Sequence, residues 1–380
     1  MKICAVSGLG AVWSNYAPDV LEGNHAIGGG EASLLRCVQH LASFGHIVTA
    51  FIPLAGPSGQ VYQGVTFRPL AEAYRSLLLD GYDVLCSWSD VQAILVCPPA
   101  TRRVYVQQLN DMPQALAFWR AVDAIVPASA THGRFLSQFA PPGASVLYAP
   151  LYGGVLPELW KDALPWAQRK PVVSWWSSPD RGLHHLLAIW PVVKKAVPAA
   201  ELRIAYHMWR YVDGSRDFFG APEVAYRSRV LEQNFFAAQR AGGVNVLGPI
   251  SRKALAVHQG ETKVWAFTFD PMCQTEGLSV SMGEAISSGT WPIARSDDAL
   301  REVYAGYVQW VDSPIPDDAW RGRFADAIIH ALRADVNPYE ARAAEFARLF
   351  TWEAAARNLE RVCQAAPKRP DHVDGFGQGM

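Results

Sequence analysis

Two glutamates, Glu276 and Glu284, stand seven residues apart in the run Glu276-Gly277-Leu278-Ser279-Val280-Ser281-Met282-Gly283-Glu284. A strand read over Val264–Phe269 and a helix around Ser279–Ser288 put Glu276 in the connecting loop and Glu284 inside the helix, about 1.5 turns from its start. Gly277, Leu278 and Ser279 then offer unpaired backbone N–H groups at a helix N-terminus, where phosphates and other anions bind. Glu284 points back toward the same ligand. Two solvated helical glutamates are the plainer reading. It is weakened because Glu284 sits among Met282, Ala285 and Ile286, and because Gly289, Trp291, Pro292 and Ile293 read as a tight return into a buried strand.

Three further loops offer ligand chemistry. Ser177-Ser178-Pro179-Asp180-Arg181-Gly182-Leu183 joins a strand to a helix, with Ser178 or Asp180 available as its cap. Arg181 then lies near a helix N-terminus, where a cation is unfavourable unless an anion binds beside it. A diphosphate would be such an anion and would take both arms of the guanidinium; an exposed surface arginine is the other reading. Gly28-Gly29-Gly30-Glu31 opens a helix, so its backbone can approach a phosphate closely, or it is a flexible loop whose Glu31 favours the first helical turn. Gly8-Leu9-Gly10-Ala11-Val12-Trp13 starts like a dinucleotide fingerprint, but Trp13 stands where the third glycine belongs, so it reads as a turn. Asp297-Asp298 reads as a helix cap rather than a ligand set, and with no other Asp/His spacing of that kind no metal is expected.

The elements that must position these residues alternate. Strands read at Ile3–Val6, Ile47–Ile52, Asp83–Cys86, Val104–Val106 and Ala124–Val126 are interleaved with helices. One helix carries Leu34, Leu35, Val38, Leu41 and Ala42 on one face and stops at Gly45; another follows Ser129 to about Phe139. Prolines and glycines from Ala149 to Pro171 break the pattern, which predicts a linker. Alternation resumes with strands at Val172–Trp175, Leu202–Tyr206, Asn245–Leu247 and Val264–Phe269, and helices at Leu183–Val197, Asp317–Ala334 and Trp352–Ala365. This order predicts an α/β protein of two doubly wound, Rossmann-like domains facing across a ligand-binding cleft. The expected bounds are 1–165 and 166–350, with a terminal helix over 351–365 returning to the first domain and a frayed tail over 366–380.

Composition narrows the function classes. With 380 residues, half of them hydrophobic and 18% charged, the chain can build two or three cores, and wholesale disorder is excluded. Lysines and arginines (34) nearly balance aspartates and glutamates (35), so no bulk charge favours nucleic acid or an anionic membrane. No apolar run approaches the ~18 residues that span a bilayer, and the first strand is too soon broken by Gly8 and Gly10 to be a signal peptide. Six scattered cysteines without a C-x-x-C pair predict free thiols in a reducing cytoplasm. Phe118-Trp119-Arg120 is the one hint of peripheral membrane contact, and a core-facing helix edge is its plainer reading.

Taken in order, these segments resemble the retaining glycosyltransferases of family 4, which have the GT-B fold. The second half carries the phosphate loop "SSPDRGL", then Gly248-Pro249-Ile250, the E-x7-E pair, and Glu284-Ala285 followed by Gly289 and Pro292-Ile293. Phe350-Thr351-Trp352-Glu353 resembles the family's terminal helix and Gly28–Val48 its start, so the resemblance spans nearly the whole chain. It implies transfer of a sugar from a nucleotide-diphosphosugar, a UDP- or GDP-sugar, to an acceptor hydroxyl on a glycan, lipid or other molecule. Configuration is retained, and no cofactor or metal takes part. Glu284 would take the ribose hydroxyls, Glu276 the donor sugar, Arg181 the diphosphate, and Gly277, Leu278 and Ser279 would give it N–H groups. Ile250 would frame the base, and Gly29 and Gly30 would approach the donor. The family's arginine ahead of the phosphate-loop cation has no counterpart in Val173–Ser178. Its acceptor-side histidine is replaced by a stretch ending in Asn110 and Asp111, both candidates for that place, with Asp111 taken as the catalytic one. Two rivals remain: a nucleotide-sugar epimerase on the same scaffold, and a non-catalytic nucleotide- or carbohydrate-binding protein.

Overall fold

The computed structural model describes residues 1–7, 22–54, 57–144, 146–216, 222–270, 276–314 and 316–366. The glycine turn at 8–13, Cys273 and the tail from 367 onward lie outside them. The chain packs as two compact units. The first takes 1–22, 30–153 and 352–380; the second takes 23–29 and 154–351.

In the first unit the order is β1 (Lys2–Ser7), α1 (Gly29–Ser43), β2 (Ile47–Ile52), β3 (Gln60–Tyr62), β4 (Val65–Pro69), α2 (Ala73–Leu79), β5 (Val84–Trp88), α3 (Val91–Val96), β6 (Arg102–Val106), α4 (Leu116–Ala121), β7 (Ala124–Val126), α5 (Ala130–Ser137) and β8 (Leu147–Tyr148). They form one sheet in the order β3-β4-β2-β1-β5-β6-β7-β8. All pairs are parallel except the β3–β4 hairpin at one edge. β1 is central, and its Ile3–Val6 run is fully buried, as a strand covered on both faces requires. Phe118 and Trp119 of α4 are core residues, which removes them as a membrane contact.

The second unit runs β9 (Val172–Trp175), α6 (Leu183–Ala196), β10 (Glu201–Ile204), α7 (Met208–Arg216), α8 (Pro222–Ala241), β11 (Val244–Val246), α9 (Arg252–Glu261), β12 (Val264–Phe267), α10 (Val280–Ser287), β13 (Trp291–Ala294), α11 (Ala299–Tyr304), β14 (Gln309–Trp310), α12 (Asp318–Arg333) and α13 (Glu340–Leu349). Its all-parallel sheet has the order β11-β10-β9-β12-β13-β14. The winding reverses between β9 and β12, and ligands of open α/β sheets bind beyond the strand ends at such a point.

The last helix, α14 (Trp352–Ala365), packs in the first unit. Arg102 Nη1 on β6 donates to its Cys363 carbonyl at 2.9 Å, and its Glu360 meets His46 at 2.8 Å. The proline-punctuated stretch before β9 is folded onto the second unit. Trp166 Nε1 there donates to the Ala334 carbonyl at 3.1 Å. No helix among the described residues is long and apolar enough to cross a membrane.

Candidate functional site

The loops after β9 and β12, on either side of the winding reversal, carry Arg181 and Glu276. After Trp175 the chain makes a short 3-10 turn, Pro179–Arg181, and enters α6 through Gly182 at φ 110°. Gly182 is pressed against the end of β12. A Cβ there would stand 1.9 Å from the Thr268 carbonyl oxygen. Thr268 Oγ1 donates to the Gly182 carbonyl at 2.8 Å, and the Asp270 N–H donates to the Arg181 carbonyl at 3.1 Å. The expectation that Ser178 or Asp180 caps the helix is overturned. The left-handed residue Gly182 occupies the cap position without a side-chain cap, and the Ser178 hydroxyl donates to Asp180 instead.

This anchoring brings Arg181 Nη1 to 3.4 Å from Glu276 Oε2, with Asp180 at 3.7 Å from Nε. Glu276 raises the Arg181 pKa, while burial pushes the Glu276 carboxyl up against the opposing pull of Arg181. The Glu276 N–H donates to Asp298 Oδ2 at 3.0 Å. Asp298 stands at the N-cap position of α11 but makes no side-chain cap, so the helix-cap reading of Asp297-Asp298 is corrected. Asp298 positions Glu276, and Asp297 pairs with Arg295 at 3.0 Å.

Ser279 is the N-cap of α10, its hydroxyl accepting from the Met282 N–H. Tyr304 Oη donates to the Ser279 carbonyl at 2.7 Å, fixing the turn that carries Gly277 and Leu278. Gly29 lies against the first residue of α10, its Cβ direction meeting Val280 at 3.4 Å. Gly30 belongs to the first unit, and Ile250 is half-buried in the loop after β11. The segment before Gly29 docks on α9: the Arg252 N–H donates to the His25 carbonyl at 3.3 Å and the Lys253 N–H to the Gly23 carbonyl at 3.0 Å.

Glu284 is 2% exposed on α10. Its Oε1 is ion-paired to Arg252, and its Oε2 accepts from Gln259 Nε2 at 3.1 Å. Arg252 and Gln259 escaped the sequence reading, as did the contact of Asp298 with Glu276, because long-range packing brings them to the two glutamates.

The sequence showed no metal-ligand spacing, yet the fold gathers His184, His185 and Asp270 with ligand atoms within 4.8 Å of one another. Their hydrogen bonds do not suit a cation. Arg321 Nη1 lies 3.2 Å from His185 Nδ1, which can only accept, so His185 Nε2 carries the proton and donates to Asp270 Oδ2 at 2.9 Å. Arg227 donates to the same carboxylate oxygen at 3.1 Å. A metal would have to displace both. Burial, then the neighbouring His185, holds His184 down at about 3, and burial lowers His185.

Asp111 is exposed in the loop after β6 in the first unit, where Gln107 Nε2 donates to its backbone carbonyl and, at 3.2 Å, to its Oδ1. The fold supplies a histidine beside this loop, His132 of α5. Its Nδ1 accepts from the Ala128 N–H at 3.1 Å, leaving Nε2 to donate to the Leu109 carbonyl at 3.1 Å. Fully buried, His132 is held down at about 4 and serves as a structural bridge.

The sequence matches no protein-family model and no curated protein significantly. Solved structures match along nearly its full length. A glycosyltransferase involved in avilamycin A biosynthesis superposes at TM-score 0.66 with 16% identity, covering 96% of this chain and 98% of that one. Sucrose-phosphate synthase from Thermosynechococcus elongatus gives 0.67 and 15%, covering 96% and 98%. HepE of Anabaena, solved with UDP and glucose, gives 0.65 and 15%, covering 96% and 100%. Two parallel-sheet α/β domains, matched over 96% of the chain, give this protein the GT-B fold.

Proposed function

We propose that this protein is a retaining glycosyltransferase related to family 4, moving a sugar from a UDP- or GDP-sugar to an acceptor hydroxyl. The observation that carries this reading is the Arg181–Glu276 pair at the winding reversal of the second unit. It joins one permanent cation to one carboxylate beside a helix N-terminus, the groups a charged diphosphate and a hydroxyl-rich sugar need. A GT-B neighbour supports it: HepE is solved both with UDP and glucose and with UDP-glucose.

In this reading the diphosphate takes Arg181 from Glu276, and the freed carboxylate accepts hydroxyls of the donor sugar. The N–H groups of Gly277, Leu278 and Ser279 stabilise the departing diphosphate electrostatically, with no metal required. Gly29 and Ile250 line the nucleotide, and Glu284 takes the ribose. The anomeric C–O bond to the diphosphate breaks and the acceptor oxygen bonds on the same face. Asp111 is the acceptor-side candidate to receive the hydroxyl proton. We place the protein in the cytoplasm, supported by five free, buried cysteines among the described residues, with the acceptor a glycan, lipid or other hydroxyl compound. A thermal-shift panel of uridine, guanosine, adenosine and cytidine diphosphates and their sugars, followed by NMR of the product anomer, tests this. Stabilisation by none of them, or an inverted product, defeats the reading.

A further inference from the structure

Glu284 belongs to a buried chain of hydrogen bonds that the proposed function has not used. Trp160 Nε1 donates to Gln259 Oε1 at 2.8 Å, and Gln259 Nε2 donates to Glu284 Oε2 at 3.1 Å. Trp160 is 7% exposed, Gln259 1% and Glu284 2%. The orientation of the Gln259 amide is fixed by chemistry. An indole N–H can only donate, and an ionised carboxylate can only accept, so the amide oxygen must face Trp160 and the NH₂ must face Glu284. Arg252 covers the other carboxylate oxygen. Two charges withdrawn from water persist only when well paired, so the carboxylate is held in one place and one orientation.

An ionised carboxylate has about four lone-pair sites. Gln259 hydrogen-bonds Oε2, while Arg252 is ion-paired with Oε1, which has no hydrogen-bond partner of its own, so each oxygen keeps a site for a donor. Two adjacent hydroxyls, each donating one hydrogen, match that pair. We propose that Gln259, itself oriented by Trp160, is the positioning residue that fixes Glu284 to read the vicinal 2′,3′-hydroxyls of a ribonucleotide. This rests on the nucleotide-sugar reading above and adds a specificity determinant to it. Because Glu284 is covered, the diol enters only as the Arg252 guanidinium shifts from its oxygen.

The test is calorimetric binding of UDP and 2′-deoxy-UDP, or of GDP and 2′-deoxy-GDP if uridine nucleotides do not bind. Wild type, Gln259→Met and Trp160→Phe are compared, with thermal melts to verify folding. Wild type should prefer the ribonucleotide about tenfold or more, as expected for a hydrogen bond to a charged group. Both variants should reduce that preference to about threefold or less while leaving affinity for the deoxynucleotide nearly unchanged. A purely structural role would weaken both nucleotides alike and keep the ratio. An unchanged ratio in a folded variant overturns the inference, and Trp160→Phe decides it if Gln259→Met does not fold. Binding by wild type without ribose preference overturns the inference while the donor reading stands; no binding of either ribonucleotide overturns both.

Discussion

Replacing Gly182 with alanine tests whether the loop that carries Arg181 is built on the end of β12. At φ 110° an L-residue is strained, at about 1–3 kcal/mol. The new Cβ would also lie 1.9 Å from the Thr268 carbonyl oxygen and 2.9 Å from the Asp270 nitrogen, both backbone atoms that cannot swing aside. Parting the two segments adds about 1–3 kcal/mol of overpacking. It also breaks the Thr268–Gly182 and Asp270–Arg181 hydrogen bonds, about 1 kcal/mol each. The sum, about 4–8 kcal/mol, rivals the stability of an ordinary domain. Gly242→Ala is the control, at φ 87° with only the end of Lys194 at 3.9 Å, so it carries the strain without the clash. Equilibrium urea unfolding followed by tryptophan fluorescence should place the second unit's transition at least ~2 M lower in Gly182→Ala, if it folds at all, and within ~1 M of wild type in the control. Equal, small shifts in the two variants would show that the loop yields freely and would refute the account of how Arg181 is held.

Further outcomes are expected. Arg181→Ala should lower both nucleotide-diphosphate affinity and turnover, and Arg181→Lys should restore only part of each, because lysine lacks the two-pronged fork; unchanged kinetics would put the diphosphate on another cation. Glu276→Ala should reduce turnover more than nucleotide affinity, measured by separating kcat from Kd. Acid should weaken the fold. His132 and His184 are kept neutral by burial, at about 4 and about 3, against about 6.5 unfolded, so their stabilisation is complete above pH 6.5 and is lost as pH falls toward those values. Between pH 7 and 5 each should cost about 2 kcal/mol, and His184→Asn should flatten the pH dependence of the melting temperature. Transfer activity should survive EDTA; loss restored by Mg²⁺ or Mn²⁺ would reject metal-free leaving-group stabilisation.

Local signals in the sequence were reliable where one segment determined its own structure. β9 and α14 have the bounds that periodicity and the proline punctuation predicted, and Glu276 and Glu284 fall in the loop and helix that spacing assigned them. The β3–β4 hairpin and the 20-residue α8 went unread, the first because its strands are three and five residues long, the second because its apolar face is thin. Capping by Ser178 or Asp180 was the wrong inference, since the left-handed turn at Gly182 follows from its contact with Thr268, far along the chain. Asp298 under Glu276, Gln259 beside Glu284, and Asp270 between two histidines share that cause: the partners are 22, 25 and 85 residues apart. No window-based pattern spans such separations.

The return of α14 to the first unit orders events during synthesis. Strands β5 and β6 leave the ribosome early, yet the helix whose Ala355, Leu359, Val362 and Cys363 are buried in that unit is made only after the entire second unit. Until then the nascent first unit lacks this cover over Cys86 and Arg102, the residues that meet Cys363. The second unit has every segment it needs once residue 351 is out. The chain therefore finishes its later unit before its earlier one, and a stall or truncation just ahead of Trp352 would leave a sound second unit tethered to a partly bare, aggregation-prone partner.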